Sequence, residues 1–263
     1  MPAVQSLSPR NLVVSVVSHG HGDMVQGLLW QLAELSAASV SRVILTHNLP
    51  EPEPIPPAGG WPFQLLQVVN EAPLGFGANH NRALAGASEA FVCVLNPDVV
   101  LAGAEDPFNA LLAACESTDV GASYPVQIDP AGRVQACERE IPSPMALFRR
   151  RLLRRKETRV DWVNAACLVL PSVVWRSLNG FDERYFMYCE DVDLCLRLRL
   201  RGLLLVRAPI RVIHIGQRAS ARSWRHLSWH IRSLWRLWRS PVYARAQQLL
   251  TSASANNSTI GAS

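Results

Sequence analysis

Short runs of apolar, largely β-branched residues recur along the first hundred residues and are separated by segments with helical character. The first run, NLVVSVVS at residues 11–18, is too short and too rich in valine for a helix, so it predicts a buried strand. Three similar runs predict further strands at residues 42–46, 65–69 and 91–95. Because residues 24–37 predict a helix between the first two runs, the pattern indicates an α/β fold with a mostly parallel sheet and crossover helices.

The second half of the chain continues the pattern with longer elements. Apolar segments predict strands at residues 120–127, 160–170 and 203–214. An acidic-headed helix is expected within residues 180–201, and an amphipathic helix rich in arginine and tryptophan at about residues 222–240. We expect one domain over residues 1–240 that includes both helices. Residues 241–263 are expected to form a C-terminal tail, whose small, polar end from residue 251 is expected to be disordered.

Length and composition favour a single cytoplasmic domain. With 263 residues, 49% of them hydrophobic, the chain can bury one sizeable core. No apolar run approaches the ~20 residues of a membrane-spanning helix, and the N-terminus lacks the basic and apolar regions of a signal peptide. The six cysteines are scattered without CxxC pairs, which favours reduced thiols over a disulfide framework or a zinc site.

Charge is divided unevenly between the two halves. Residues 1–140 hold 5 Lys and Arg against 14 Asp and Glu, whereas residues 141–263 hold 21 against 7. The basic half suggests an anionic partner, which is nucleic acid, a phospholipid surface or a substrate with a pyrophosphate group; a solvated basic surface is the alternative. Nucleic acid is disfavoured because the basic segments adjoin an acidic cluster and no nucleic-acid-binding motif is present.

Polar residues at the ends of the predicted strands form the first candidate site. Open α/β sheets bind ligands at the carboxyl ends of their strands, and three such ends carry Ser18, His47-Asn48 and Asp98. Asp98 follows a buried strand and a proline, so its carboxylate can bind Mg²⁺ or Mn²⁺, which bridge the phosphates of a nucleotide diphosphate. His214, also at a strand end, can complete that site as an imidazole ligand. The structural alternatives are a turn aspartate and a core histidine.

Residues 180–195 hold five acidic residues around an aromatic centre, namely Asp182, Glu183, Glu190, Asp191 and Asp193. Acidic residues at a helix start suit the helix dipole, which is the structural interpretation. The adjacent pair Glu190-Asp191 also has the form of a general base held near a hydroxyl nucleophile, because a like-charged neighbour keeps one carboxylate basic.

Five motifs occur here in the order in which they occur in family 2 glycosyltransferases, so the chain resembles that family. They are GFGANHN at 75–81, LNPD at 95–98, DWVNAA at 161–166, GFDERYFMYCEDVD at 180–193 and VIH at 212–214. The resemblance is to the bacterial rhamnosyltransferase-like group and covers residues 11–240. It implies a GT-A fold, in which a mixed, mostly parallel sheet flanked by helices binds a nucleotide-diphosphate sugar.

The resemblance also implies roles for individual residues. Asp98 corresponds to the last Asp of the family's DxD-type metal motif, with Asn96 in place of the first, and His214 corresponds to the other metal ligand. Asp191 corresponds to the general base that deprotonates the acceptor hydroxyl, with Glu190 in support. The implied reaction is an inverting displacement in which a divalent cation, Mg²⁺ or Mn²⁺, stabilises the departing nucleotide diphosphate.

Substrate-binding residues follow from the same resemblance. The implied donor-binding set is Ser18, His47, Asn48, Gly75, Phe76, Gly77, Asn81, Asn96 and Asp98. The implied pocket for the sugar and the acceptor is lined by Trp162, Asn164, Ala165 and Ala166. The expected donor is a nucleotide sugar, with dTDP-rhamnose as the candidate, and the expected acceptor is a cell-envelope glycan that is free or lipid-linked.

Two positions depart from the family's pattern. The second strand ends in His47-Asn48 where an Asp-Asn pair is usual, and Ala165 stands where a glycine is usual. These departures keep open an alternative, in which the chain is a catalytically degenerate relative that binds nucleotide sugar or serves as a scaffold in a glycan-assembly complex.

The arginine- and tryptophan-rich helix carries a separate signal. Six apolar residues fall on one face at helical spacing, namely Trp224, Leu227, Ile231, Leu234, Trp235 and Trp238. Arginines flank this face, so the helix can lie in the interface of an anionic membrane, peripheral to the inner face of the cytoplasmic membrane. The basic run Arg149–Arg155 supports that placement or a diphosphate-lipid acceptor. The alternative is a helix packed against the protein's own core.

Overall fold

The computed structural model describes residues 11–101, 103–146, 159–216 and 224–260, with side chains in these ranges up to residue 250. The described strands are β1 Leu12–Ser18, β2 Val40–His47, β3 Gln64–Val69, β4 Phe91–Leu95, β5 Val99–Leu101, β6 Val120–Ile128, β7 Glu138–Arg139, β8 Trp162–Val163, β9 Cys167–Pro171 and β10 Leu204–His214. Eight of them form one sheet in the order β3-β2-β1-β4-β9-β6-β10-β5, while β7 and β8 form a separate pair.

Helices cover both faces of this sheet. Numbered in chain order, those described are α1 Gly22–Leu35, α2 Phe76–Leu84, α3 Pro107–Ala114, α4 Ser172–Leu178, α5 Glu190–Leu200, α6 Trp224–Trp238 and α7 Pro241–Ile260. The fold is thus a three-layer α/β/α arrangement, and the fold class predicted from the sequence is confirmed.

The first four strands are parallel neighbours. β1 lies between β2 and β4, and Ser18 at its end pairs with His47 at the end of β2. Strands β9 and β5 run against their neighbours β4 and β10, which makes the sheet mixed. Since the remaining strands share one direction, the polar residues at their carboxyl ends lie along one edge of the sheet.

Two apolar clusters form the core, one on each face of the sheet. One joins α1 and α3 to the strands through side chains such as Leu28, Leu32 and Phe108. The other joins α2, α4 and α5 to the strands through side chains such as Leu84 and Trp175. Because the central strands are buried on both faces, their sequences are nearly continuous apolar runs rather than alternating patterns.

A third apolar cluster holds the C-terminal helices against α5. Leu237 of α6 and Tyr243 and Ala246 of α7 pack there, each no more than 5% exposed. Residues 241–260 are therefore helical, where the sequence predicted a tail with a disordered end.

The sequence does contain a start signal for α7. Ser240 Oγ accepts a hydrogen bond from the Tyr243 amide at 3.1 Å, and Pro241 occupies the first helical position, where proline is favoured. The composition of the segment after residue 250 concealed this signal, because its small polar residues offer no apolar periodicity.

Two further segments differ from the sequence prediction. The strand expected over residues 160–170 is divided into β8 and β9 by a turn at residues 164–166. Helices α3 and α4 were not predicted, and with 8 and 7 residues they are too short to show a clear apolar period. Only the start of α3 is signalled locally, by Asp106, whose side chain accepts from the Phe108 amide.

All six cysteines are buried and free. Among the described helices, none combines the length and the apolar character needed to span a membrane.

Candidate active site

An asparagine network joins the carboxyl end of β2 to the loop that precedes α2. Asn48 accepts from the Leu74 amide at 2.8 Å and donates to the Leu74 carbonyl at 3.0 Å. Asn70 donates to the side chains of Asn48 and Asn79 at 2.9 and 2.6 Å. Asn48 therefore fixes the path of the glycine-bearing loop.

Glu51 places a carboxylate beside the end of β1. Ser18 Oγ donates to Glu51 Oε2 at 2.8 Å, and the Gly20 amide donates to Glu51 Oε1 at 2.8 Å. Glu51 lies in a segment rich in proline and glycine and was not among the residues predicted for the site. Its acidic side chain lies three residues after the His47-Asn48 pair, so it supplies negative charge to the sheet edge that lacks the family's usual aspartate.

His47 is directed toward the neighbouring strand. Its Nε2 lies 2.9 Å from Gln67 Oε1 of β3, and the residue is only 4% exposed. The imidazole is thus held by a lateral contact inside the sheet, and the contacts at the strand end come from Ser18 and Asn48.

Gly75 and Gly77 allow residues 180–189, here called the crossing segment, to pass over the start of α2. A Cβ atom on Gly75 would lie 2.6 Å from the Phe186 carbonyl oxygen, and one on Gly77 would lie 2.7 Å from Phe181 Cβ. The Phe76 amide donates to the same Phe186 carbonyl at 2.9 Å. These two glycines therefore serve the packing of one protein segment on another.

Asn81 holds the beginning of the crossing segment. Its side chain donates to the Phe181 carbonyl at 2.9 Å and to Glu183 Oε1 at 3.0 Å, and it accepts from the Phe181 amide at 2.8 Å. The helix that follows the glycine loop is thereby joined to the segment that carries the acidic residues.

Two strained residues precede the acidic pair. Tyr188 and Cys189 have φ angles of 71° and 67°, a left-handed backbone that residues with a side chain seldom adopt. Each such residue costs about 1–2 kcal/mol, and such strain is concentrated at functional sites. Immediately after this turn, Glu190 is buried and Asp191 is partly exposed at the start of α5.

Burial weakens both acids of the pair. Desolvation raises the pKa of Asp191 to about 6, while hydrogen bonds from the Val192 and Ala165 amides oppose the shift. Desolvation, and next the charge of Asp191, raise the pKa of Glu190 well above its usual value. Glu190 Oε2 also has no hydrogen-bond partner among the described residues. Because two adjacent carboxylates repel when both are ionised, the pair retains a proton toward neutral pH.

Two other acids of the cluster form ion pairs with arginine. Asp193 pairs with Arg197 at 2.7 Å, and Arg197 also donates to the carbonyls of Leu178 and Gly180. Asp182 pairs with Arg184 at 2.5 Å. These contacts stabilise the crossing segment and the start of α5, and they leave Glu190 and Asp191 as the chemically distinct pair.

Asp98 and His214 meet where β10 pairs with β5. His214 Nε2 lies 3.5 Å from Asp98 Oδ2, both side chains are 15% exposed, and the Ile215 amide donates to the Asp98 carbonyl at 3.0 Å. His214 Nδ1 is buried without a hydrogen-bond partner in the described part of the chain. The two residues that the sequence hypothesis joined thus lie close together, and their role as metal ligands stays a prediction.

The two side chains fit a shared divalent cation. Two ligands at about 2.1 Å from one octahedral ion lie about 3 Å apart, close to the observed 3.5 Å. No group of three potential His, Cys, Asp or Glu ligands occurs in the described residues, so the other ligands would be water and substrate phosphate, as is common for Mg²⁺.

Residues 164–166 connect the acidic pair to the turn that carries Asp98. The Ala165 amide faces Asp191 and lowers its pKa, and the Ala166 carbonyl accepts from the Asn96 amide at 2.8 Å. Asn164 exchanges two hydrogen bonds with Gln127, at 2.6 and 3.0 Å. Ala165 acts here through its backbone, so the methyl group at this position leaves the hydrogen bond to Asp191 in place.

Trp162 lies on the strand before this turn and is partly exposed. Its indole Nε1 donates to the Glu140 carbonyl at 2.9 Å. The contact orients the ring next to the 164–166 turn, where the resemblance expects the sugar and acceptor pocket.

One face of α6 covers the crossing segment. Ser233 Oγ donates to the Met187 carbonyl at 2.8 Å, the Phe186 and Trp229 rings are 4.9 Å apart, and Tyr188 Oη lies 2.9 Å from His226 Nδ1. The helix therefore holds the strained turn from outside.

The apolar face assigned to α6 from the sequence is divided between two surroundings. Leu234 and Trp238 pack toward the protein, and Trp238 Nε1 donates to the Pro142 carbonyl at 2.5 Å. The exposed stripe, as we call the rest, consists of Trp224, Leu227, Ile231 and Trp235, which are 87%, 38%, 59% and 59% exposed. The helix is thus both packed and exposed. The basic run Arg149–Arg155 lies outside the described residues.

Comparison with known proteins supplies relatives along most of the chain. No protein-family model matches it. It is 28% identical to the N-acetylglucosaminyl-diphospho-decaprenol L-rhamnosyltransferase of Mycobacterium tuberculosis, over 88% of this chain and 87% of that protein. It is 26% identical to the rhamnosyltransferase WbbL of Escherichia coli, over 85% of this chain and 90% of that protein.

Solved structures match the fold. The mannosyltransferase PcManGT from Pyrobaculum calidifontis, in complex with GDP-Man and Mn²⁺, superposes with a TM-score of 0.60 over 98% of this chain and 81% of its own, at 16% identity. Staphylococcus aureus TarS in complex with UDP-GlcNAc superposes with a TM-score of 0.58 over 91% of this chain and 70% of its own, at 12% identity.

The sheet topology and these structures show a GT-A fold, and the rhamnosyltransferase relatives support a glycosyltransferase. The relatives confirm the resemblance that the five motifs indicated, which is to the rhamnosyltransferase-like group of family 2. They do not favour the alternative of a degenerate binding or scaffold protein.

The close packing at Gly77 yields a direct test of the site's architecture. We expect Gly77→Ala to lower the free energy of unfolding by about 1–3 kcal/mol, because Phe181 must move to admit the methyl group. Gly27→Ala is the matched control within α1, where nothing lies within 4 Å of the added Cβ. It should raise stability by about 0.4–1 kcal/mol. Urea unfolding of both variants measures the difference, and equal effects would contradict the packing described here.

Proposed function

We propose that this chain transfers rhamnose from a nucleotide-diphosphate donor, dTDP-rhamnose, to a hydroxyl of a lipid-linked cell-envelope glycan, with inversion at the anomeric carbon. The names of the relatives support both rhamnose and an acceptor carried on a diphosphate lipid. The GT-A neighbours, bound to GDP-Man or UDP-GlcNAc, support a nucleotide sugar as the donor.

One observation carries the proposal, namely the backbone connection between Asp191 and the turn that bears Asp98. The amide of Ala165 faces Asp191 closely enough to lower its pKa, and one residue later the Ala166 carbonyl accepts from the Asn96 amide at 2.8 Å. A proton acceptor and a candidate diphosphate site are therefore held at the same sheet edge by one short turn. Such proximity is what an attack of an acceptor hydroxyl on a nucleotide sugar requires.

The roles of the residues follow from their surroundings. Asp191 is partly exposed with a raised pKa, so it can take the proton of the acceptor hydroxyl as that oxygen attacks the anomeric carbon. Buried Glu190, whose own pKa is raised well above its usual value, stays protonated beside Asp191 and adds no second negative charge to the site. Asp98 and His214 would hold the divalent cation, which when bound supplies positive charge to the departing nucleotide diphosphate.

The proposed base has a characteristic pH dependence. Asp191 must be deprotonated to act, so kcat/KM should rise with pH, about tenfold per unit at the acidic end, and level off above a pKa of about 6. Asp191→Asn should lower turnover by roughly 10²–10⁴-fold and remove this dependence, because the amide cannot take a proton. Steady-state transfer assays at saturating Mn²⁺ between pH 5 and about 8 measure both effects.

Two neighbouring variants control for structural damage. Glu190→Gln should leave the pH profile near its original position, since the raised pKa of Glu190 already keeps that side chain neutral where Asp191 titrates, with a smaller loss of turnover. Asp193→Asn should reduce stability through Arg197 and leave the profile in place. If the Asp193 variant is inactive while the Asp191 variant is active, Asp193 rather than Asp191 is the base.

The cation ligands are tested by donor binding. Asp98→Asn should abolish Mn²⁺-dependent binding of a nucleotide diphosphate measured by calorimetry, because the amide lacks the charge that holds the ion. His214→Ala should weaken it less, since water can replace one ligand. Unchanged Mn²⁺-dependent affinity in the Asp98 variant would overturn the ligand assignment.

We also propose that the exposed stripe of α6 rests on an anionic membrane. Its aromatic and aliphatic side chains are flanked by Arg225, Arg232, Arg236 and Arg239, an arrangement typical of helices that lie in the interface. A peripheral position on the inner face of the cytoplasmic membrane would bring the site to a lipid-linked acceptor.

Vesicle binding tests this membrane contact. The protein should co-sediment with phosphatidylglycerol vesicles and be released as salt rises, because screening weakens the attraction of the arginines. Trp224→Ser with Ile231→Ser should abolish binding, whereas the exposed control pair Ile55→Ser with Val173→Ser should retain it. Equal binding to neutral vesicles, or none to either kind, would favour a helix that serves packing alone.

A further inference from the structure

Four arginines and three aromatic side chains surround a cavity between α6, the start of α7 and the crossing segment. Its volume is about 730 Å³, within the usual range for small-molecule sites. The residues that give it its character are Arg184, Arg232, Arg236, Arg239, Phe186, Trp229 and Trp235. Serine and proline complete the described lining, which includes no acidic side chain.

The four arginines of the lining give the cavity a net positive charge. Arg184 is fixed by its pair with Asp182, which offsets part of its charge. The Arg239 guanidinium lies 5.3 Å from the centre of the Trp235 ring, so it is held over an aromatic face. Arg232 and Arg236 are exposed one turn apart on α6, where their guanidinium groups can reach a common anion. The cavity therefore favours a ligand with more than one negative charge.

The lining fits one chemical class of ligand. Guanidinium groups match phosphate oxygens with paired hydrogen bonds, and several of them together suit a diphosphate. The aromatic side chains offer apolar walls beside these groups. Trp235 belongs both to the cavity and to the exposed stripe, so an apolar chain attached to the diphosphate would pass from the cavity onto an apolar surface.

We propose that this cavity binds the diphosphate of a lipid-linked acceptor, an inference that rests on the proposed function and adds a second, metal-independent diphosphate site. The position supports it. Phe186 lines the cavity, and five residues later in the chain stands Asp191, after the strained turn that α6 holds. Ser233, which also lines the cavity, donates to the Met187 carbonyl, so a diphosphate anchored here lies beside the turn that leads to the acidic pair.

Binding of farnesyl diphosphate in the presence of EDTA tests the site apart from metal-dependent donor binding. Calorimetry on the full chain should detect binding, and Arg232→Gln with Arg236→Gln should weaken it by about tenfold or more, since two charge-assisted contacts are removed. Arg211→Gln with Arg245→Gln removes the same charge from exposed positions outside the cavity and should change affinity less than about twofold. Thermal unfolding of each variant verifies that the fold is retained.

Three further probes identify what is recognised. Inorganic pyrophosphate should bind more weakly than farnesyl diphosphate and show the same loss in the double variant, whereas farnesol should not bind. Phosphatidylglycerol vesicles should still bind the double variant through the exposed stripe, though more weakly. Equal losses for the cavity and control pairs, or farnesol binding as well as farnesyl diphosphate, would overturn the diphosphate site.

The failure of this inference can be told from failure of the proposed function. If farnesyl diphosphate does not bind while dTDP-rhamnose is hydrolysed with Mn²⁺ in a way that needs Asp191, the cavity assignment is wrong and the proposed function stands. If farnesyl diphosphate binds and the double variant Arg232→Gln with Arg236→Gln binds it more weakly, while no donor is turned over, the diphosphate site is supported and the proposed function fails. In an active enzyme, the double variant Arg232→Gln with Arg236→Gln should have a raised KM for a lipid-linked acceptor and an unchanged KM for the donor.

Discussion

The passage of the crossing segment over the start of α2 is the contact on which the site depends. It is possible only because Gly75 and Gly77 bring no side chain to positions where a Cβ would lie 2.6–2.7 Å from the crossing segment. The Phe186 carbonyl accepts a hydrogen bond from the Phe76 amide, and Asn81 bonds the beginning of the same segment. The crossing segment is therefore fixed at two points. Helix α2 and the helix that carries the acidic pair, α5, therefore have one defined relative position.

Local sequence patterns were enough to predict the sheet, the polar strand ends and the acidic head of α5. Each depends on a short-range signal, a β-branched run or a cluster of like charges, that survives in one dimension. Apart from the pair Asp98 and His214, which was inferred from their strand ends and the family resemblance, contacts between distant segments were beyond such reasoning. The packing of Gly75 and Gly77 against Phe186 and Phe181 was not predicted, and the donor-binding role of their loop stays a prediction. Glu51 was hidden in a proline-rich loop, and nothing local indicates that it returns to Ser18. The helix after residue 240 was missed because its stability comes from packing on α5 rather than from its own composition.

The uneven charge along the chain has a counterpart in the architecture. The acidic first half contributes β1, β2 and β4, whose ends hold the candidate cation ligand Asp98. The basic second half contributes α6, with arginines around Trp229 and Trp235. At the sheet edge, Asp98 can hold a cation that neutralises a phosphate. Around α6, the guanidinium groups of the arginines can neutralise a phosphate directly. His47 and Ala165, which depart from the family's pattern, fit this division without disturbing it, since one packs inside the sheet and the other acts through its amide.

The left-handed pair Tyr188-Cys189 makes the orientation of the acidic pair dependent on α6. A turn that costs about 1–2 kcal/mol at each of two residues persists only while outside contacts oppose its relaxation. Here those contacts are the bonds of Tyr188 and Met187 to His226 and Ser233. Thermodynamic linkage is reciprocal. A ligand that stabilises the packing of α6 on the turn also stabilises the orientation of the Asp191 carboxylate, and a substrate bound to that carboxylate stabilises the packing of α6. Binding at the outer surface of α6 and the correct orientation of Asp191 are therefore expected to stabilise each other.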